Sequence, residues 1–254
     1  MSVLETKGLT MRFGGLTAVL DFNLTLEEGE LVGLIGPNGS GKTTVFNMIT
    51  GFYEPTEGKI ILDGREITGL RPDQVASLGI ARIFQNSRLF REQAVLDNVL
   101  IGHHLRLRSS PFSAVLRLPG YTREEKQAHE EAMTLLEGLG LADVVGEIAG
   151  SLPYGLQRKL EVARALATRP SLLLLDEPAT GMSTEETTEM MDFILRVRDD
   201  FQLTILLIEH HMRVVMGICE RMVVLNYGKT IARGSPEEIQ NNPEVIEAYL
   251  GADE

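Results

Sequence analysis

The sequence predicts an α/β fold: a mostly parallel sheet, with an antiparallel β part at its start and a helical section inserted into it. Three observations predict this. Over residues 3–26 apolar and polar side chains alternate, broken once by Gly14-Gly15, as in short antiparallel strands. From about 94 to 150 the apolar spacing is helical. From 156 onward, short continuous apolar runs alternate with helical stretches, the pattern of strands joined by crossover helices in a parallel sheet.

Taken in order, Val3, Leu9, Met11 and Phe13, then Leu16, Val19, Phe22, Leu24 and Leu26, mark the first strands, and Glu28-Gly29-Glu30 a turn. Leu31-Val32-Gly33-Leu34-Ile35 is apolar on both faces, so it belongs inside a sheet. Residues 42–50 read as a helix stopped by Gly51, and 60–62 and 80–83 as short strands. Residues 106–121, rich in Arg, Ser, Pro and Gly, read as an exposed loop. Thr122-x-x-Glu125 reads as a capping box opening a helix through Leu136. Helices over 157–168, 184–198 and 212–219 then feed strands over 172–175, 203–208 and 222–225. Ser235-Pro236 starts a tail helix, with serine as N-cap and proline in the first turn. The expected organisation is one domain over 1–254. Its α/β core takes 1–93 and 156–254, the helical subdomain 94–155 and a helical tail 235–254.

A chain of 254 residues with 43% hydrophobic side chains can bury a sizeable core. The formal net charge of −12 argues against non-specific nucleic-acid binding, which needs a positive footprint. One cysteine, Cys219, excludes an internal disulfide and a cysteine metal cluster. With no apolar signal core at the start and no apolar run approaching a membrane span, the chain reads as soluble and cytoplasmic. All of the net charge lies in 128–254, with 10 basic and 22 acidic side chains; 1–127 balances 14 against 14. Within 82–123, seven arginines (Arg82, Arg88, Arg91, Arg106, Arg108, Arg117, Arg123) face only Glu92 and Asp97 up to the start of the predicted helix. This basic stretch is either a solvated surface or a face for an acidic partner or membrane surface.

Two motifs carry chemistry. Gly36-Pro37-Asn38-Gly39-Ser40-Gly41-Lys42-Thr43-Thr44 fits G-x-x-x-x-G-K-[ST], preceded by a strand and followed by a helix. Its glycines let backbone N–H groups wrap phosphates, and the helix N-terminus adds partial positive charge. Lys42 is placed to reach the β- and γ-phosphates, and the Thr43 hydroxyl to sit on Mg²⁺. The apolar run 172–175 ends in Asp176-Glu177-Pro178, at the strand end where ligands gather in open α/β sheets. Asp176 can hold Mg²⁺ through water, and Glu177 can polarise an attacking water.

Over its whole length the chain resembles the ATP-binding subunits of ABC transporters. Residues 36–44 match their Walker A and 172–177 their Walker B. Arg82-Ile83-Phe84-Gln85 is similar to the Q-loop, and Glu209-His210 to the switch histidine. Leu152-Pro153-Tyr154-Gly155-Leu156 and the helix after it stand where the signature motif belongs, and Phe13 where an aromatic stacks on adenine. The resemblance implies a P-loop NTPase core and ATP with Mg²⁺ as ligands. It implies catalytic roles for Glu177, His210, Gln85 and Lys42, nucleotide contacts from Phe13, 36–44, Tyr154 and Gly155, and metal contacts from Thr43, Gln85 and Asp176. Glu209 and His211 are read as structural. A narrower resemblance joins Met11-Arg12-Phe13-Gly14-Gly15-Leu16, Thr50-Gly51-Phe52-Tyr53, the loop over 106–125, Glu177-Pro178-Ala179 and the tail from Asn241 to Gly251 to the first ATPase subunit of branched-chain amino acid importers. Urea/amide and lipopolysaccharide transporter ATPases are similar too.

Two positions depart from the family pattern. Pro153 stands where the signature has serine, and Ser183 where the D-loop has aspartate. Ser183-x-x-Glu186 is also a capping box, so its expected work is to start a helix. The family implies a second ATPase subunit, identical or a sister, closing head to tail over ATP. It also implies membrane subunits and a peripheral place on the cytoplasmic face of the inner membrane; the basic charge directly after Gln85 points to about 86–110 as the region that receives them. The rival class, a soluble ABC-type ATPase acting on DNA or ribosomes, would carry a second ATPase domain or a long coiled-coil insertion.

Overall fold

The computed structural model describes residues 1–103 and 119–250. Two compact units emerge, residues 1–85 with 171–254 and residues 86–170.

In the first unit, β1 (Ser2–Phe13) and β2 (Leu16–Glu27) form a long hairpin around Gly14-Gly15, joined by β4 (Glu57–Leu62) and β5 (Arg65–Glu66) in an antiparallel sheet of order β2-β1-β4-β5. A second sheet runs β10-β9-β3-β8-β7-β6, from β3 (Leu31–Ile35), β6 (Ile80–Ile83), β7 (Leu172–Asp176), β8 (Thr204–Ile208), β9 (Arg221–Asn226) and β10 (Lys229–Gly234). Five of its strands are parallel, and β10 returns antiparallel on β9. Every residue of β3, β7 and β8 is buried, which is why these strands read as unbroken apolar runs. One core cluster takes in Leu4, Phe22 and Ile60 of the antiparallel sheet, Val45, Phe46 and Ile49 of α1 (Lys42–Ile49), and Leu34, Leu174 and Leu206 of the parallel sheet. α2 (Pro72–Ser77) adds Val75 to that cluster, and outside it stand α6 (Thr184–Phe201), α7 (Met212–Ile218), α8 (Pro236–Gln240) and α9 (Pro243–Leu250). Ser183 and Ser235 cap α6 and α8 with complete capping boxes to Glu186 and Glu238.

The second unit is helical: α3 (Val95–His103), α4 (Pro119–Gly138) and α5 (Tyr154–Leu166), with α3 packed on both others. Gly102 lets α3 and α5 approach, since a Cβ there would stand 2.6 Å from Arg164 O. Asn98 is fully buried and satisfied: its amide donates to Phe90 O and Ala94 O, and its oxygen accepts from Phe90 N.

Several boundaries differ from expectation. The helical unit spans 86–170 rather than 94–155, because α5 packs on α3 and so belongs with it. Thr122 does not open a helix: α4 is already under way from Pro119, so Thr122-x-x-Glu125 lies inside it. Of the loop expected over 106–121, residues 119–121 are helical and 106–118 lie outside the described residues, as do His104, Arg106, Arg108, Arg117 and Gly251. α5 begins at Tyr154 rather than 157, because Pro153 N-caps it and its carbonyl accepts from Gln157 N at 3.0 Å.

Candidate functional site

The loop between β3 and α1 is shaped by glycine. Gly36 has φ +148°, and a Cβ there would meet Leu225 O at 2.0 Å; Gly41, the N-cap of α1, has φ +108°, and its Cβ would meet Ala18 O at 2.7 Å. Only glycine fits both conformations and both approaches. Gly228, in the β9–β10 turn, braces the loop. Its N–H donates to Ser40 O at 2.9 Å, and its carbonyl accepts from Leu20 N at 2.8 Å. No side chain caps α1 and no acid sits in its first turn. Its first N–H groups and partial positive charge are therefore available to an anion. A cleft of 270 Å³ lies here, lined by residues 16–18, residues 39–44 and Tyr227. Pro37 and Asn38 complete the loop, whose Pro37 carbonyl accepts from Ser40 N at 3.2 Å.

Lys42 is 7% exposed, its ammonium donating to Gly36 O at 2.8 Å and Pro37 O at 2.9 Å. Burial lowers its pKa, opposed by the charges of Glu177 and Asp176. Those opposing charges place the end of β7 within electrostatic reach of the loop.

Asp176 pairs with Arg82 of β6 at 2.7 Å, the two side chains 10% and 5% exposed. Arg82 also donates to Asn47 Oδ1 at 2.7 Å and lies over the rings of Phe46 (5.4 Å) and Phe84 (4.5 Å). Glu177 adopts φ +50°, unusual for a side chain of its size. Its N–H donates to Ile208 O at 2.9 Å, which pins the peptide. Its carboxylate accepts from Gln85 Nε2 at 2.6 Å and Thr180 Oγ1 at 3.1 Å, and His210 Nδ1 stands 3.5 Å from the other oxygen. Gln85, Glu177 and His210 thus come together from β6, β7 and β8, which are consecutive in the sheet.

Glu209, read from sequence as structural, is 0% exposed and accepts hydrogen bonds from the turns after both β7 and β8. Arg82, read from sequence as Q-loop strand and as one of the arginines of a basic face, is instead 5% exposed and the partner of Asp176. Sequence gives no signal for either, since a charged residue at a strand end ordinarily faces water. Phe13, at the end of β1, is 42% exposed with its ring edge-on to Tyr53 at 5.3 Å; the cleft walls are residues 16–18 and Tyr227 instead.

In the second unit, Pro153 N-caps α5 without a side-chain hydrogen bond, and Tyr154 and Gly155 occupy its first turn. Arg158 Nε donates to Tyr154 Oη at 3.0 Å and pairs with buried Glu161 at 2.8 Å; Glu161 also accepts from Arg88 N at 2.9 Å.

A glycine-shaped loop between a buried strand and a helix, a buried lysine and a strand-end pair of acids define a P-loop nucleotide-hydrolysing core. The ABC transporter family model matches residues 19–180. A model described as branched-chain amino acid ATP-binding cassette transporter matches 229–254. The chain is 50% identical over 249 residues to the high-affinity branched-chain amino acid transport ATP-binding protein LivG of Salmonella typhimurium, covering 98% of each. It is 33% identical to the lipopolysaccharide export system ATP-binding protein LptB of Haemophilus influenzae, covering 99% of this chain and 98% of that one. The ADP conformation of MJ1267, an ATP-binding cassette of an ABC transporter, superimposes with a TM-score of 0.86 at 31% identity, covering 99% of both chains. The chain belongs to the ABC transporter ATPase family.

Proposed function

We propose that this chain is the ATP-hydrolysing subunit of an ABC importer for branched-chain amino acids. The observation that carries the reading is the grip on Glu177. Its carboxylate is held by Gln85 and Thr180 beside His210, within reach of Lys42 at the phosphate loop. The loop amides and Lys42 bind the phosphates, Glu177 takes the proton of the attacking water, and His210 hydrogen-bonds the γ-phosphate. Catalysis is positioning and charge stabilisation. Thr43, Gln85 and Asp176 offer only oxygen donors, the set a hard divalent cation prefers. Mg²⁺ bound there supplies charge neutralisation at the β- and γ-oxygens. The match of 229–254 to the branched-chain model favours that cargo. The likeness to LptB supports lipopolysaccharide as a second reading.

ATP is completed by residues 152–156 of a second ATPase subunit, identical or a sister. With Pro153 in place of a serine hydroxyl, the helix N-terminus of α5 supplies the partial positive charge that faces the phosphates. No helix of the described residues is long and apolar enough to cross a membrane. The reading of the chain as a transporter ATPase places it peripherally, on the cytoplasmic face, docked through 86–110 to membrane subunits; residues 104–110 lie outside the described residues. Arg88, Phe90 and Arg91 are exposed there. Reversing Arg88 and Arg91 to glutamate is expected to abolish transport and leave ATPase intact; unchanged transport would remove the docking surface.

The first test is Mg-ATPase activity of the wild type beside Glu177→Gln, with molecular size measured with and without ATP. The expected variant binds ATP, turns over about 10²-fold more slowly or worse, and persists as an ATP-dependent dimer. Near-wild-type turnover in Glu177→Gln would remove the glutamate's role, and absence of ATP binding would overturn the whole reading.

A further inference from the structure

Glu209 is fully buried, and three backbone N–H donors converge on its carboxylate. Oε1 accepts from Ala179 N at 3.0 Å; Oε2 accepts from His210 N at 3.0 Å and His211 N at 3.1 Å, and lies 3.1 Å from His211 Nδ1. The two oxygens face different segments. Ala179 follows Glu177 by two residues in the turn after β7, and His210 opens the turn after β8. On the other side of the same junction, Glu177 N donates to Ile208 O at 2.9 Å. The peptides carrying Glu177 and His210 are therefore tied twice, once by backbone and once by this carboxylate. His211 adds a third connection, because its ring lies 4.2 Å from that of His210 and its Nδ1 is held by Glu209.

Only a carboxylate of this length completes the arrangement. It offers acceptors alone, and every group facing it is a donor. A glutamine would turn its NH₂ toward either Ala179 N–H or the two histidine amides, leaving buried donors opposed. An aspartate is one methylene short of spanning both turns.

We propose that Glu209 is a positioning residue for hydrolysis: a strut between the turns of Glu177 and His210 that sets the spacing of those two side chains, with His211 locking it. The inference rests on the roles given to Glu177 and His210 above. It accounts for a fully buried carboxylate beside the catalytic centre, one oxygen of which accepts from His210 N at 3.0 Å and lies 4.0 Å from His210 Nδ1.

A double-mutant cycle tests it, using the full chain with Glu209→Gln, His210→Ala and the two together. Single-turnover hydrolysis of MgATP is followed with protein in excess, alongside ATP affinity. Glu209→Gln is expected to slow hydrolysis about 10²-fold, the effect of a displacement near 1 Å, with ATP affinity within about twofold of wild type. The double variant is expected to be no slower than His210→Ala, because Glu209 acts through the geometry of His210. Multiplicative losses, or affinity falling in step with rate, overturn the strut and leave an ordinary packing role. His210→Ala slowed with Glu209→Gln at wild-type rate removes the strut alone. His210→Ala at wild-type rate removes the histidine from the reading of the site and the strut with it. Should Glu209→Gln fail to fold, Glu209→Asp keeps the charge and is expected to be slowed as well; a wild-type rate there overturns the proposal.

Discussion

Replacing Arg82 by methionine would remove the only cation hydrogen-bonded to Asp176 among the described residues. Methionine keeps most of the volume between Phe46 and Phe84, so little cavity is created and the cost is chiefly electrostatic. Breaking a buried ion pair by deleting one partner costs about 3–5 kcal/mol, since a buried charge is left uncompensated. Two features argue for the lower end. Lys42 is within electrostatic reach of Asp176 and takes up part of the deficit. Arg82 Nε has no hydrogen-bond partner, so one of its buried donors contributes nothing to be lost. A loss of about 3 kcal/mol corresponds to a fall in Tm of about 6–12 °C for a chain of this size. Thermal unfolding followed by circular dichroism measures it. The companion variant Arg82→Met with Asp176→Asn removes both charges and is expected to recover most of the loss, because a neutral pair leaves nothing uncompensated. A fall below about 3 °C in the single variant, at the 2–4 °C per kcal/mol used above, or a double variant less stable than the single, would refute the reasoning.

Other expectations follow from the loop. Gly36→Ala forces a Cβ to within 2.0 Å of Leu225 O at a φ that disfavours side chains. Overpacking and strain of about 1–3 kcal/mol should fall on the loop, and calorimetric titration is expected to show ATP affinity reduced at least about tenfold; unchanged affinity would contradict the tight approach. Lys42 binds phosphate as the cation, and burial lowers its pKa below the ordinary 10.5. ATP affinity should therefore weaken as pH rises through a value below that of a free lysine, which a pH series of dissociation constants checks. Glu30 is bonded to Arg221 at 2.8 Å, and that hydrogen bond lowers its pKa. Its stabilisation is present above the ordinary value of 4.5 and lost as pH falls through the depressed value. Glu30→Gln should flatten that part of the acid unfolding curve.

The phosphate loop and the acids after β7 were legible because their chemistry fixes both residue type and spacing, and because a strand buried on both faces leaves an uninterrupted apolar run. The long hairpin was legible from alternation around Gly14-Gly15, although the strands extend to twelve residues each. What could not be read was pairing across the sheet. Arg82 and Asp176 stand on adjacent strands, and nothing along the chain announces that their ends meet. Glu209 resembles any charged residue closing a strand until the turns after β7 and β8 are brought side by side. Thr122 shows the opposite failure: a correct local capping pattern was overridden because the helix had already started at Pro119. Ser183 and Ser235 carry the same kind of pattern and do cap their helices, because there the serine itself is extended and the helix begins with the next residue.

The bracing of the phosphate loop has a consequence for biosynthesis. Strand β3 and the loop are synthesised early, yet both neighbours of β3, β8 and β9, come from the last quarter of the chain, and Gly228 closes the brace on Ser40 and Leu20. These contacts join segments separated by nearly the whole sequence, so their loop-closure entropy is met late. A nascent chain emerging N-terminus first holds the residues that grip phosphate long before it can give them their shape. Nucleotide binding should begin only once the β9–β10 turn has left the ribosome, and until then β3 must be kept from pairing with foreign strands by folding factors or by the β1–β2 hairpin packing over α1.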